Sequence, residues 1–120
     1  MKAYFTARGY DVKGEVGAAD LVAVPRGAPE GCEPVIVELK TSFTLSLFHQ
    51  AINRQSMSDQ VYIAVPRKSG KAALTAIRKN KMLCRRLRIG LITVRISDGK
   101  VVVHCAVSYT HLTLPTIYSV

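Results

Sequence analysis

Apolar and polar positions recur with two different periods along this chain, and the changes between them mark its elements. Ala3, Tyr4, Phe5 and Ala7 cluster before Gly9, which predicts the closing turns of a helix within Met1 to Tyr10. Short apolar and β-branched runs follow at Val12 to Val16 and Asp20 to Val24, joined through Gly17, Ala18 and Ala19, so two adjacent strands are expected. Pro25 to Pro34, with three prolines and two glycines, is a loop leading to a third strand from Val35 to Lys40. Between Thr44 and Ser56 the spacing becomes three and four: Leu47, Phe48, Ala51, Ile52 and the aliphatic stem of Gln55 share one helix face. Val61 to Val65 reads as a strand stopped by Pro66. The basic segment beyond it carries Ile77, Cys84 and Leu87 on a helix ending near Gly90. Leu91 to Ile96 and Val101 to Ala106 then form a hairpin around Asp98-Gly99, a pair suited to the positive φ of a tight reversal. The expected order is α-β-β-β-α-β-α-β-β, an α/β fold of the α+β kind on a mixed sheet, with no internal repeat.

With 120 residues, 48% of them hydrophobic, the chain can bury one modest core, and a single domain over residues 1–106 is expected. The net charge of +9 is unevenly placed. Every acidic residue except Asp98 lies at or before Asp59, whereas Arg67 to Arg88 holds nine Lys or Arg and no acid. Such a segment attracts a polyanion, nucleic-acid phosphate above all; the plainer alternative is a solvated helix face. Cys32, Cys84 and Cys105 are odd in number and lack CxxC spacing, which argues against a disulfide framework and a zinc ribbon and fits a reducing cytoplasm. No stretch resembles a signal peptide, and no apolar run approaches the roughly 20 residues of a membrane span. A soluble, cytoplasmic protein without a membrane partner is expected.

Both ends are unusual. The first helix begins almost at Met1, as though part of it were missing. From Val107 onward the run Val-Ser-Tyr-Thr-His-Leu-Thr-Leu-Pro-Thr loses periodicity and charge, and it resembles one translated frame of a common transposon-derived sequencing adapter. Residues 107–120 are accordingly read as a non-native tail on a metagenomic fragment, and Tyr109 and His111 are set aside.

Chemistry concentrates on the second and third strands. Strand alternation puts Ile36, Glu38 and Lys40 on one face. If Asp20 to Val24 and Val35 to Lys40 pair antiparallel with Val22 opposite Ile36, Asp20 falls opposite Glu38. Cross-strand like charges at roughly 5 Å between Cβ atoms are destabilising unless a cation lies between them. Hard carboxylate oxygens so spaced suit Mg²⁺, with Mn²⁺ as a substitute ion. Taken singly, Glu-x-Lys is common on solvated strands and an Asp at a strand start is often a turn former. An Asp opening one apolar strand, an ExK closing the next and a helix directly after is a more specific combination.

Gly14-Glu-Val, Ala19-Asp-Leu-Val-Ala-Val and Val35-Ile-Val-Glu-Leu-Lys40 together resemble the core of the PD-(D/E)XK phosphodiesterase superfamily, and within it a bacterial family of uncharacterised members. The resemblance spans most of Lys2 to Ala106 and implies a restriction-endonuclease-like αβββαβ core, followed here by a helix and a hairpin. It implies that Asp20 and Glu38 ligate the metal, that Leu39 offers its backbone carbonyl, and that Lys40 orients or deprotonates the attacking water. Ala19 stands where the superfamily's name has Pro. Glu15, brought beside Asp20 by a reversal through Gly17, is a candidate third carboxylate, or else an exposed strand residue. Gln50 on the second helix is the expected supporting side chain. Arg54, four residues on, is expected to contact phosphate along with Arg67, Lys68, Lys71, Arg78 and Lys79, whereas His49 and His104 are read as solvent-facing or partly buried. The implied activity is Mg²⁺-dependent hydrolysis of nucleic-acid phosphodiesters, DNA first; the alternative is an inactive nucleic-acid-binding or interaction module on the same fold. A homodimer would suit cutting of two strands.

Overall fold

The computed structural model describes residues 1–16, 19–28 and 31–107, with backbone alone at 15, 16 and 19. Its element order is α1 (Lys2–Ala7), β1 (Tyr10–Val16), β2 (Ala19–Pro25), β3 (Val35–Leu39), α2 (Leu45–Arg54), β4 (Gln60–Pro66), α3 (Lys71–Leu87), β5 (Gly90–Val94) and β6 (Val101–Cys105). The expected order of elements holds. Among the described residues these form a mixed α/β fold with three helices and one six-stranded sheet, ordered β1-β2-β3-β4-β5-β6. Tyr109, His111 and residues 108–120 of the expected tail lie outside the described residues.

Connection length dictates the direction of each pairing. The short link between β1 and β2 and the longer loop from β2 to β3 leave both pairs antiparallel, as is the β5–β6 hairpin. β3–β4 and β4–β5 are parallel, because α2 and α3 intervene as crossovers. Gly99, at φ 72°, supplies the reversal between β5 and β6.

The sheet is buried on both faces at its centre, which is why β3 is apolar at Val35, Ile36 and Val37 without alternation. One face packs Ile36, Val61, Ile63, Val65 and Leu91 against Leu47, Phe48 and Ala51 of α2 and Cys84 of α3. The other packs Leu21, Ala23, Val35, Val37, Ala64 and Ile92 beneath Phe5 of α1. Thr44 caps α2: its side chain accepts the amide of Leu47 at 3.1 Å. At the other end of the helix Gln55 donates Nε2 to the carbonyls of Leu87 (2.8 Å) and Arg88 (3.3 Å), satisfying the C-terminus of α3. The left-handed position that closes α3 falls on Arg88, at φ 60°, two residues before Gly90.

Candidate active site

The β2–β3 register pairs Leu21 with Val37 and Val22 with Ile36, so its next step sets Asp20 across from Glu38. At that step the ladder changes character. Asp20 N–H donates to Oε2 of Glu38 at 3.2 Å, and Leu39 N–H donates to Oδ2 of Asp20 at 2.8 Å. Each carboxylate thus takes up a backbone donor from the opposite strand. On the far side of β2, the pairs Gly14–Leu21 and Val16–Ala19 bracket a position where Glu15 faces Asp20 along the backbone. Glu15, Asp20 and Glu38 therefore occupy one row of register positions across three strands. The side chain of Glu15 lies outside the described residues.

Glu38 is only 2% exposed, and a buried carboxylate is costly unless its oxygens are satisfied and its charge matched. Both conditions are met, because Oε1 takes the Nε of Arg54 at 3.0 Å while Oε2 takes the Asp20 amide. The crossover through α2 brings Arg54 over β3. Arg54, expected on phosphate, is thus the counter-ion of Glu38, with 18% of its side chain exposed. Asp20 is half-buried, and its Oδ1 receives no hydrogen bond from the described residues.

Lys40 stands one residue beyond β3 and extends the parallel ladder, its N–H donating to the carbonyl of Ala64 at 3.1 Å. The side chain is exposed and makes no ion pair with the described residues. The contact of Leu39 at the site is made by its amide, which holds Asp20. One turn before Arg54 on α2, Gln50 has a buried Oε1 without a hydrogen-bond donor. An orphaned buried acceptor lacks the donor such groups normally find, and a water would supply one. Among the described residues no three of His, Cys, Asp and Glu converge as a metal-holding group. The described carboxylates at this site are a pair, Asp20 and Glu38, whose remaining lone pairs have the chemistry for a hard cation.

Arg67, Lys68, Lys71, Arg78 and Lys79 are all exposed and unpaired with acids among the described residues. Lys68 lines a cleft with Thr41 to Phe43 of the loop that follows Lys40. Sequence patterning missed this cleft and the Arg54–Glu38 pair. The signal for the second was Arg54's place at the end of an amphipathic crossover helix directly after the ExK strand. His104, apart from this site, shares a 2.7 Å hydrogen bond with Thr93. No helix among the described residues is long and apolar enough to cross a membrane. Comparison with protein-family models and with curated proteins finds no match.

Proposed function

We propose that the chain is a metal-dependent phosphodiesterase acting on nucleic acid, DNA first, with a PD-(D/E)XK site on a restriction-endonuclease-like core. The observation that carries this reading is the meeting of Asp20 and Glu38 across two strands, with Lys40, exposed and without an ion pair among the described residues, two residues beyond Glu38. Asp20 and Glu38 would hold Mg²⁺, or Mn²⁺ in its place, with Glu15 at the third position of the row. Bound there, such an ion lowers the pKa of water and neutralises phosphate charge. Leu39 N–H fixes the Asp20 carboxylate in orientation, and the two hydrogen bonds on Glu38 fix its plane. Lys40 would offer a mobile positive charge to the phosphate or, only as the neutral amine, a proton acceptor to the nucleophilic water. Gln50 Oε1 is an acceptor that orients such a water. The exposed cations from Arg67 to Lys79 grip backbone phosphates without reading bases, which makes binding steeply salt-dependent.

One observation favours a second reading, a nucleic-acid-binding module without turnover: Arg54 already neutralises Glu38 and reduces that carboxylate's need for a metal. Cleavage of labelled single-stranded, duplex and branched DNA by the full chain, with Mg²⁺, Mn²⁺ or EDTA, separates the two. Metal-dependent cleavage that disappears in both Asp20→Asn and Lys40→Ala supports the phosphodiesterase. Salt-sensitive binding with no cleavage under any ion supports the binder.

A further inference from the structure

Beside the carboxyl ends of β3 and β4 a cleft of about 340 Å³ opens between the Thr41–Phe43 loop, the end of β4 and the first half of α3. Phe43 and Ile77 form part of its wall while packing against the core beneath α2 and α3, so this wall is an opening of the apolar interior. Its polar side chains are those of Thr41, Ser42, Lys68 and Asn80. Asn80 donates Nδ2 to the Ala76 carbonyl at 2.8 Å, which fixes its amide and leaves Oδ1 as an acceptor. Lys68 brings a cation with no acidic partner among the described residues, and the flanking Arg67 and Lys71 are also exposed cations.

We propose that this cleft receives one unpaired nucleobase of a single-stranded segment next to the phosphate handled by Asp20, Glu38 and Lys40; the proposal rests on the phosphodiesterase reading. Its volume lies at the lower end of the roughly 300–1,000 Å³ of small-ligand sites, enough for one base. Apolar walls accept the faces of a flat ring, the fixed Asn80 acceptor suits an exocyclic amino group, and Lys68 suits the phosphate attached to that base. Charge decides against a basic occupant and in favour of an anionic one such as a phosphate-bearing strand, since the segment from Arg67 to Arg88 holds nine Lys or Arg and no Asp or Glu. Thr41 follows Lys40 directly, so the cleft and the candidate phosphate site adjoin along the chain. A base stacked in a duplex cannot reach such a cleft without leaving the stack, so single strands and unpaired positions are preferred.

Binding without turnover tests this. In EDTA, the full chain is titrated by fluorescence anisotropy with a short single-stranded DNA and with the same backbone made abasic. The base-bearing strand is expected to bind about 5- to 100-fold more tightly. Ala76→Phe, which fills the cleft, is expected to abolish that preference and leave abasic affinity unchanged. In the unaltered protein, deoxyadenosine monophosphate is expected to shift the Ile77 methyl resonances through ring currents, a readout independent of how Ala76→Phe folds. Equal affinity for both strands, equal weakening of both by Ala76→Phe, or silent Ile77 methyls would overturn the proposal, as would occupation of the cleft by an apolar peptide in place of the base. Cleavage is not read here, so absence of turnover in Mg²⁺ counts against the phosphodiesterase alone, while absence of base preference counts against the cleft alone.

Discussion

Arg54 Nε lies 3.0 Å from Oε1 of Glu38, a helix guanidinium neutralising a carboxylate held inside the third of six strands. Removing one partner of a buried pair leaves the other charge stranded, at a cost of about 3 kcal/mol or more. Arg54→Ala is therefore expected to lower stability by about that amount in urea unfolding, and Glu38→Gln in the Arg54→Ala background to restore much of it. A double variant no more stable than Arg54→Ala would show that the pair contributes through packing alone.

Lys40 should behave in the opposite way. Its side chain is exposed and unpaired among the described residues, so Lys40→Ala is expected to change stability by less than about 0.5 kcal/mol. If Lys40 assists the water or the phosphate, the same variant lowers the cleavage rate by about 10²-fold or more. Parallel unfolding curves and single-turnover rates check both halves, and a rate loss matched by unfolding would remove Lys40 from the chemistry.

Why the Asp20–Glu38 meeting was readable in the sequence and the Arg54–Glu38 pair was not follows from the reach of each signal. The first depends on the period of two in strands and on the pairing of Val22 with Ile36, a register that follows from setting the two ends of the connecting loop, Val24 and Pro34, opposite each other. The second depends on a long side chain sixteen residues away choosing a partner after α2 has docked, and no local pattern encodes that choice. The same holds for Gln55: its stem fits the apolar face of α2, yet its amide caps α3, more than thirty residues away. Gly90 looked like a helix stop because glycine commonly takes the left-handed closing position. Arg88 takes that position here, and Gly90 is needed for a different reason.

That reason is Tyr62, its register partner on β4. A Cβ added at Gly90 would overlap the Tyr62 ring. Gly90→Ala must displace the ring or part β4 from β5, and overpacking of this kind costs about 1–3 kcal/mol. Thermal denaturation is expected to show that loss for Gly90→Ala and a smaller one when the same change is made in a Tyr62→Ala background. Equal losses in both backgrounds would place the strain in the backbone.

The three cysteines should separate by reactivity. Burial, and after it the neighbouring Cys105, pushes the Cys84 thiol up to about 12, whereas Cys32 is exposed. The thiolate is the reactive form, so Cys84 is inert at neutral pH. A thiol reagent at about pH 8 is expected to label Cys32 first in the folded protein and to reach Cys84 only in denaturant, as read by mass spectrometry of peptides. Early labelling of Cys84 would mean that α3 leaves the sheet readily.

His104 gives the fold a pH dependence with a definite sign. Its Nε2 shares a 2.7 Å hydrogen bond with Oγ1 of the buried Thr93, and its pKa lies below the usual 6.5 because burial, then Arg67, then Lys81 disfavour the charged ring. The unfolded chain therefore takes up a proton at a higher pH than the folded one does. The stability associated with neutral His104 is fully present above 6.5 and is lost as pH falls from there through the lower folded value. Urea midpoints between about pH 8 and pH 5 are expected to fall on acidification in the unaltered protein and to stay flatter in His104→Gln, which keeps a hydrogen-bonding group near Thr93 but cannot titrate. An unchanged slope in His104→Gln would assign the acid sensitivity to other groups.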